Sequence, residues 1–172
     1  MRKSTLFLSV LVVLAGAAFA GPDHPVRTES GWFDMEKCEF CRNMLADPGL
    51  LPHMTWENLK TTDGMVQIAT VQPEYAASYA KCMQAMNTLG NDMSSGKRNP
   101  MEVKMCGSCA AFSQMMMAGV TYETIDGEAA DVTIITADDP ALVARIHEYC
   151  DRNNSEMALL MGGGGGDHPH EH

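Results

Sequence analysis

A chain of 172 residues, 45% apolar and 20% charged, suits one compact domain or two small ones and has an ordinary globular composition. Its formal charge of -10 at pH 7 repels polyanions, which excludes nucleic acid as a partner. Six cysteines and 15 methionines make it rich in sulfur.

The chain opens as a secretion signal: Arg2 and Lys3, an apolar run from Leu6 to Ala18, and the small residues Ala18-Phe19-Ala20 before Gly21. Removal of residues 1–20 is expected. The run is shorter than the roughly 20 apolar residues that a spanning helix needs, so the reading is a periplasmic or secreted protein with no membrane span. An even cysteine count in such a compartment makes disulfides the first competing explanation of the thiols. Residues 21–34 are an N-terminal segment in which His24 is read as an ordinary terminal residue.

Two segments then read as copies of one another, 35–88 and 101–161, joined by a polar linker at 89–100. The first holds Cys38, Cys41 and Cys82, the second Cys106, Cys109 and Cys150, so each has a CxxC and a third cysteine 41 residues further on. Thr55-Trp56-Glu57 matches Thr121-Tyr122-Glu123 at an offset of 66, as Val66 to Thr70 matches Val132 to Thr136. In each copy the CxxC opens a short helical segment, Cys38 to Ala46 and Cys106 to Ala118, which Pro48-Gly49 or Gly119 ends. Thr62-Asp63-Gly64 and Asp126-Gly127 are hairpin turns between strands at 55–59 and 65–71, and at 121–125 and 131–136. Pro73 and Pro140 start the second helices, where proline fits a first turn. Tyr75, Tyr79, Cys82 and Met86 share a face of one, and Leu142, Val143, Ile146, Tyr149 and Cys150 a face of the other. Gly90, Gly96 and Ser94-Ser95 mark the stretch from Asn87 to Asn99 as a helix-breaking linker. Gly162 to Gly166 lead to His168, His170 and His172 in a flexible tail at 162–172.

The fold expected is α+β: two tandem αββα repeats sharing an antiparallel sheet, with helices on one face. The second copy, with Met105-Cys106-Gly107-Ser108-Cys109, Gly119-Val120, the alternating strand Asp131 to Ile135 and Asp139-Pro140, resembles the heavy-metal-associated domain. That resemblance implies a ferredoxin-like βαββαβ arrangement and copper(I) carried on the two thiolates of the CxxC. The sequence departs from the family where Lys104, and Glu36 in the first copy, stand in place of its methionine. The family's antiparallel helices, carried over, would bring the third cysteine of each copy to its own CxxC.

Two thiols three residues apart at a helix start can turn towards one ion, and the helix dipole favours their anionic form. Soft sulfur donors choose copper(I), zinc or a similar ion over magnesium or calcium. Cys38, Cys41, Cys82, Cys106, Cys109 and Cys150 are therefore the candidate ligands, three to each copy. His147 and Met105 are possible further donors, and His168, His170 and His172 could capture a borderline ion. The methionine run 115–117 is read as adaptable core filler, and Glu57 and Glu123 as solvated strand residues. The function expected is sequestration or delivery of a soft metal ion, with a metal-transport or metal-enzyme protein as partner. The alternatives are a disulfide-stapled binding module without metal and, as the enzymatic option, a thiol-disulfide oxidoreductase.

Overall fold

A computed structural model describes residues 31–127 and 130–160; the signal expected at 1–20 and the histidine tail lie outside them. The chain is α+β. Strands β1 (Met54–Lys60) and β2 (Gly64–Val71) form one hairpin, β3 (Thr121–Asp126) and β4 (Ala130–Thr136) another. β2 and β4 lie side by side, giving one antiparallel sheet of order β1-β2-β4-β3. Helix α1 (Ala76–Ser94) follows the first hairpin, α2 (Gly107–Met117) precedes the second, and α3 (Pro140–Leu160) follows it. Among the described residues no helix is long and apolar enough to cross a membrane.

The central register pairs Gln67 with Thr133 and Met65 with Ile135. Residues paired across a sheet point to the same side. Met65 and Ile135 therefore share a face, and both are buried with Met115 of α2 and with Ile146 and Cys150 of α3. On that same face Asn58 bonds to Asn154, Lys60 pairs with Asp151, and Met54 packs with Cys82 of α1. All three helices thus lie on one side of the sheet, as the sequence led us to expect.

Gly64 is fixed by the join between the hairpins. A Cβ at this position would fall 1.9 Å from the carbonyl oxygen of Ile135 on β4, so only glycine allows the two central strands to meet here.

Two element expectations are corrected. The first CxxC does not open a helix over Cys38 to Ala46; only Cys41–Leu45 forms a 3-10 turn. The Asn43 side chain donates to the carbonyls of Glu39 and Phe40, 3.0 and 2.8 Å away, and competes with the helical pattern. The linker from Asn87 to Asn99 is mostly helix. α1 continues through Gly90 because Cys82, Met86, Leu89 and Met93 keep an apolar stripe at helical spacing, the last two against Val103 and Met105. The helix stops at Gly96, whose φ of 75° suits the left-handed position after a helix end.

These glycines predict opposite stability effects. Gly64→Ala should lower the melting temperature by several degrees, because a strand backbone must move. Gly90→Ala sits inside α1 with open space at its Cβ and should gain about 0.5–1 kcal/mol. Thermal unfolding of both variants checks the pair; equal effects would contradict the strand contact.

Candidate metal centre

The two CxxC motifs, far apart in sequence, end at one place. The first lies in a loop held by Asp34, whose side chain accepts from the N–H groups of Glu36 and Lys37 at 3.0 and 2.8 Å and whose carbonyl accepts from that of Cys38. The second sits at the start of α2, with Cys106 as the N-cap residue and Cys109 in the first turn.

Glu39, between the first two cysteines, joins the two motifs. Its backbone N–H donates to the Lys104 carbonyl at 2.9 Å, while its carboxylate accepts from the Lys104 N–H at 3.2 Å and from Arg98 at 3.0 Å. Burial works against the Glu39 carboxylate, but Arg98 and the Lys104 N–H outweigh it and hold its pKa below the usual range.

The start of α2 is fixed from its other side. Gly107 and Ser108 donate their N–H groups to the carbonyls of Gly31 and Trp32 at 3.2 and 2.9 Å, which satisfies two donors that a helix start leaves free. A Cβ on Gly107 would press on Trp32 at 3.0 Å, which explains the glycine inside this CxxC. The buried Asn153 of α3 accepts from Trp32 Nε1 at 2.8 Å and from Ser108 Oγ at 3.1 Å. Arg152 covers the Trp32 ring from 4.0 Å. These residues hold α2 against α3 and thereby orient Cys106 and Cys109.

The outcome is one group of four sulfurs. Cys38 Sγ lies 3.7 Å from Cys109 Sγ, and Cys41 Sγ lies 3.6 Å from both Cys106 and Cys109. All four atoms fall within 4.8 Å of one another. Cys38, Cys41 and Cys106 are buried and Cys109 is half-buried. All six cysteines of the chain are free thiols.

The protons of this group are shared unequally. Hydrogen bonds from the neighbouring thiols hold Cys38 well below the ordinary thiol range, and the bond from Cys109 lowers Cys106 to about 7. Each of these sulfurs also accepts the backbone N–H of the second cysteine of its motif, at 3.5 Å for Cys38. Cys41 and Cys109 are pushed up, chiefly by the Cys106 sulfur beside them. Like charges this close cannot all ionise unless a cation joins them.

The expectation of three sulfurs in each half is corrected: Cys82 and Cys150 stand apart from the dithiols, because both helices run well past them and place them in mid-helix within apolar clusters. Cys82 is buried with Leu50 and Met54, its thiol donating to Met86 Sδ at 3.8 Å, and burial raises its pKa to about 11. Cys150 lies in the core beside Met65 and Ile146, and burial raises it too. His147 is engaged by the Thr61 carbonyl at 2.9 Å. Met105 is core, packed with Val103 and Ala110 beside Cys109. His168, His170 and His172 lie outside the described residues.

Sequence reasoning missed the residues that position the site: Glu39, Arg98, Trp32, Ser108 and Asn153. Glu39 was legible as an unusual acid inside a CxxC, but its partners are 59 and 65 residues away.

No family model, no curated protein and no solved structure matches the chain.

Thiol chemistry separates the two classes of cysteine. At pH 8, treatment of the folded, chelator-stripped chain with iodoacetamide should alkylate residues of the four-sulfur group while sparing Cys82 and Cys150. A thiol with a pKa near 11 carries very little of the reactive thiolate at that pH. Peptide mapping reads the result, and early labelling of Cys82 or Cys150 would contradict the placement.

Proposed function

We propose that this chain is an exported soft-metal-binding protein that holds one thiophilic ion on Cys38, Cys41, Cys106 and Cys109. The observation that carries the reading is the spacing of the sulfurs. A tetrahedral ion with Zn–S bonds of about 2.3 Å needs sulfurs about 3.8 Å apart; three of the contacts here are 3.6 to 3.7 Å, and all lie within 4.8 Å. The donor set agrees, since four thiolates with no oxygen donor select a soft or borderline ion over magnesium or calcium.

Zinc is the ion this geometry favours. Copper(I), the expectation from two or three sulfurs in each half, has four donors to satisfy here and takes second place. Three buried ligands and a half-buried fourth favour holding the ion over rapid exchange, and Cys109 is the side from which a metal-delivery partner would approach. Binding also fastens the loop before β1 to the start of α2, so metal and stability are linked.

A second reading has its own support in the approach of Cys38 to Cys109 and of Cys41 to Cys106. In an oxidising compartment these pairs would form the bridges of a disulfide-stapled module, in place of bridges inside each CxxC.

Cobalt(II) titration of the reduced chain, followed by zinc displacement, tests the first reading. One equivalent should bind with the strong visible absorption of a tetrahedral thiolate site. Serine at any of the four positions should weaken binding more than tenfold, or upwards of about 1.4 kcal/mol, whereas Cys82→Ala should leave the stoichiometry at one. Affinity should fall as pH is lowered, because protons compete for the thiolates. Two equivalents per chain with the absorption of a thiolate site, or no loss on serine substitution, would overturn the reading.

A further inference from the structure

Among the described residues the helices cover one face of the sheet, yet the middle of the other face is aliphatic too. On the covered side the two middle strands present Met65, Gln67, Ala69, Val71, Asp131, Thr133 and Ile135, and β1 adds Met54, Trp56 and the buried Asn58. On the open side their middle presents Val66, Ile68, Val132 and Ile134, flanked by Leu59 on β1 and Ile125 on β3, with Thr55, Thr70, Thr121 and Thr136 beyond them. The helix contacts described above all go to the covered side. Leu59 and Ile125 are 45% and 49% exposed. An antiparallel sheet with one solvated face ordinarily alternates apolar inward and polar outward, and this one breaks the rule in its middle. A block of six branched aliphatic side chains on a flat face marks an interaction surface.

We propose that this open face is where a second copy of the chain docks, sheet against sheet. The plan of the face supports this. The register sets Leu59, Val66, Ile134 and Glu123 in one row across the strands and Glu57, Ile68, Val132 and Ile125 in the next. A half-turn about the sheet normal between Gln67 and Thr133 exchanges the two rows, aliphatic for aliphatic and Glu57 for Glu123. A face with this symmetry can meet its own copy by a two-fold axis along the strands or across them, with different residue pairs but the same kinds of contact. Its apolar block is then covered either way, and isologous two-fold contact is the commonest form of self-association.

The size of the face agrees. Four strands about 4.8 Å apart and about seven residues long at roughly 3.3 Å per residue offer on the order of 450 Å² in plan per copy. Two such faces give about 900 Å², near the roughly 1,000 Å² expected of the smallest specific interfaces. The dimer is therefore reversible, with the faces packed about 10 Å apart as in two-sheet proteins.

Charge does not oppose the contact. Glu57 and Glu123 sit at opposite corners of the block. In either pairing each faces the partner's Leu59 or Ile125, never the partner's glutamate, so no like charges oppose one another across the contact.

That arrangement gives the proposal a test in which the two charge variants must differ. Sedimentation analysis of the metal-loaded full chain at about 100 µM, a concentration suited to a weak interface of this size, should show a monomer–dimer equilibrium. Leu59→Glu with Ile125→Glu sets carboxylate against carboxylate and should leave only monomer. Leu59→Lys with Ile125→Lys removes the same two aliphatic side chains but gives each glutamate a counter-charge, and should weaken the dimer much less than the glutamate pair does. Bound metal per chain, unchanged in both, shows that the variants fold and keeps this test separate from that of the metal site. A monomer at this concentration would overturn the proposal. So would a dimer indifferent to the glutamate pair, which would place the contact elsewhere, or equal weakening by glutamate and lysine.

Discussion

Four sulfur atoms crowded within 4.8 Å set the central constraint on this structure. Every thiolate added to such a group raises the cost of the next, so the chain either keeps protons between the sulfurs or places a cation among them. Burial sharpens the constraint, since water cannot screen the charges. The surrounding architecture can be understood as the means of holding those atoms together in spite of their repulsion.

Two sets of contacts do this from opposite sides. Glu39 reaches Arg98 and the Lys104 backbone, which fastens the loop of the first CxxC to the segment leading into the second. Asn153, Ser108 and Trp32 lock the start of α2 against α3, and α3 lies across β1, β2 and β4. The sheet is thus the frame on which α3 is laid, α3 positions α2, and α2 presents Cys106 and Cys109. A bound ion would close the circuit between the loop before β1 and this frame, so that its binding energy becomes folding energy.

Much of this was legible in the sequence and some of it could not be. The strand hairpins were readable because Asp63-Gly64 and Asp126-Gly127 carry turn chemistry that acts locally. The helix starts at Pro73 and Pro140 were readable for the same reason, although a 3-10 turn at Pro73–Tyr75 precedes α1. The extent of α1 was not, because Gly90 looks like a breaker until the stripe through Leu89 and Met93 finds its partners in a distant segment. The cysteines show the same division. Their types and their CxxC spacing pointed to two pairs of sulfurs as candidate ligands, and the regular third cysteine suggested one site in each half, whereas the four CxxC sulfurs form a single group. What decided otherwise was tertiary: Cys82 and Cys150 are small apolar residues of the core, and the contact from Glu39 to Lys104 joins the two dithiols. No periodicity in the chain encodes that contact.

Whether four sulfurs surround one ion is tested most directly by X-ray absorption at the metal edge of the anaerobically purified chain. A single shell of four sulfur neighbours at about 2.3 Å is expected. A shell of two or three sulfurs, or one completed by nitrogen or oxygen, would contradict it.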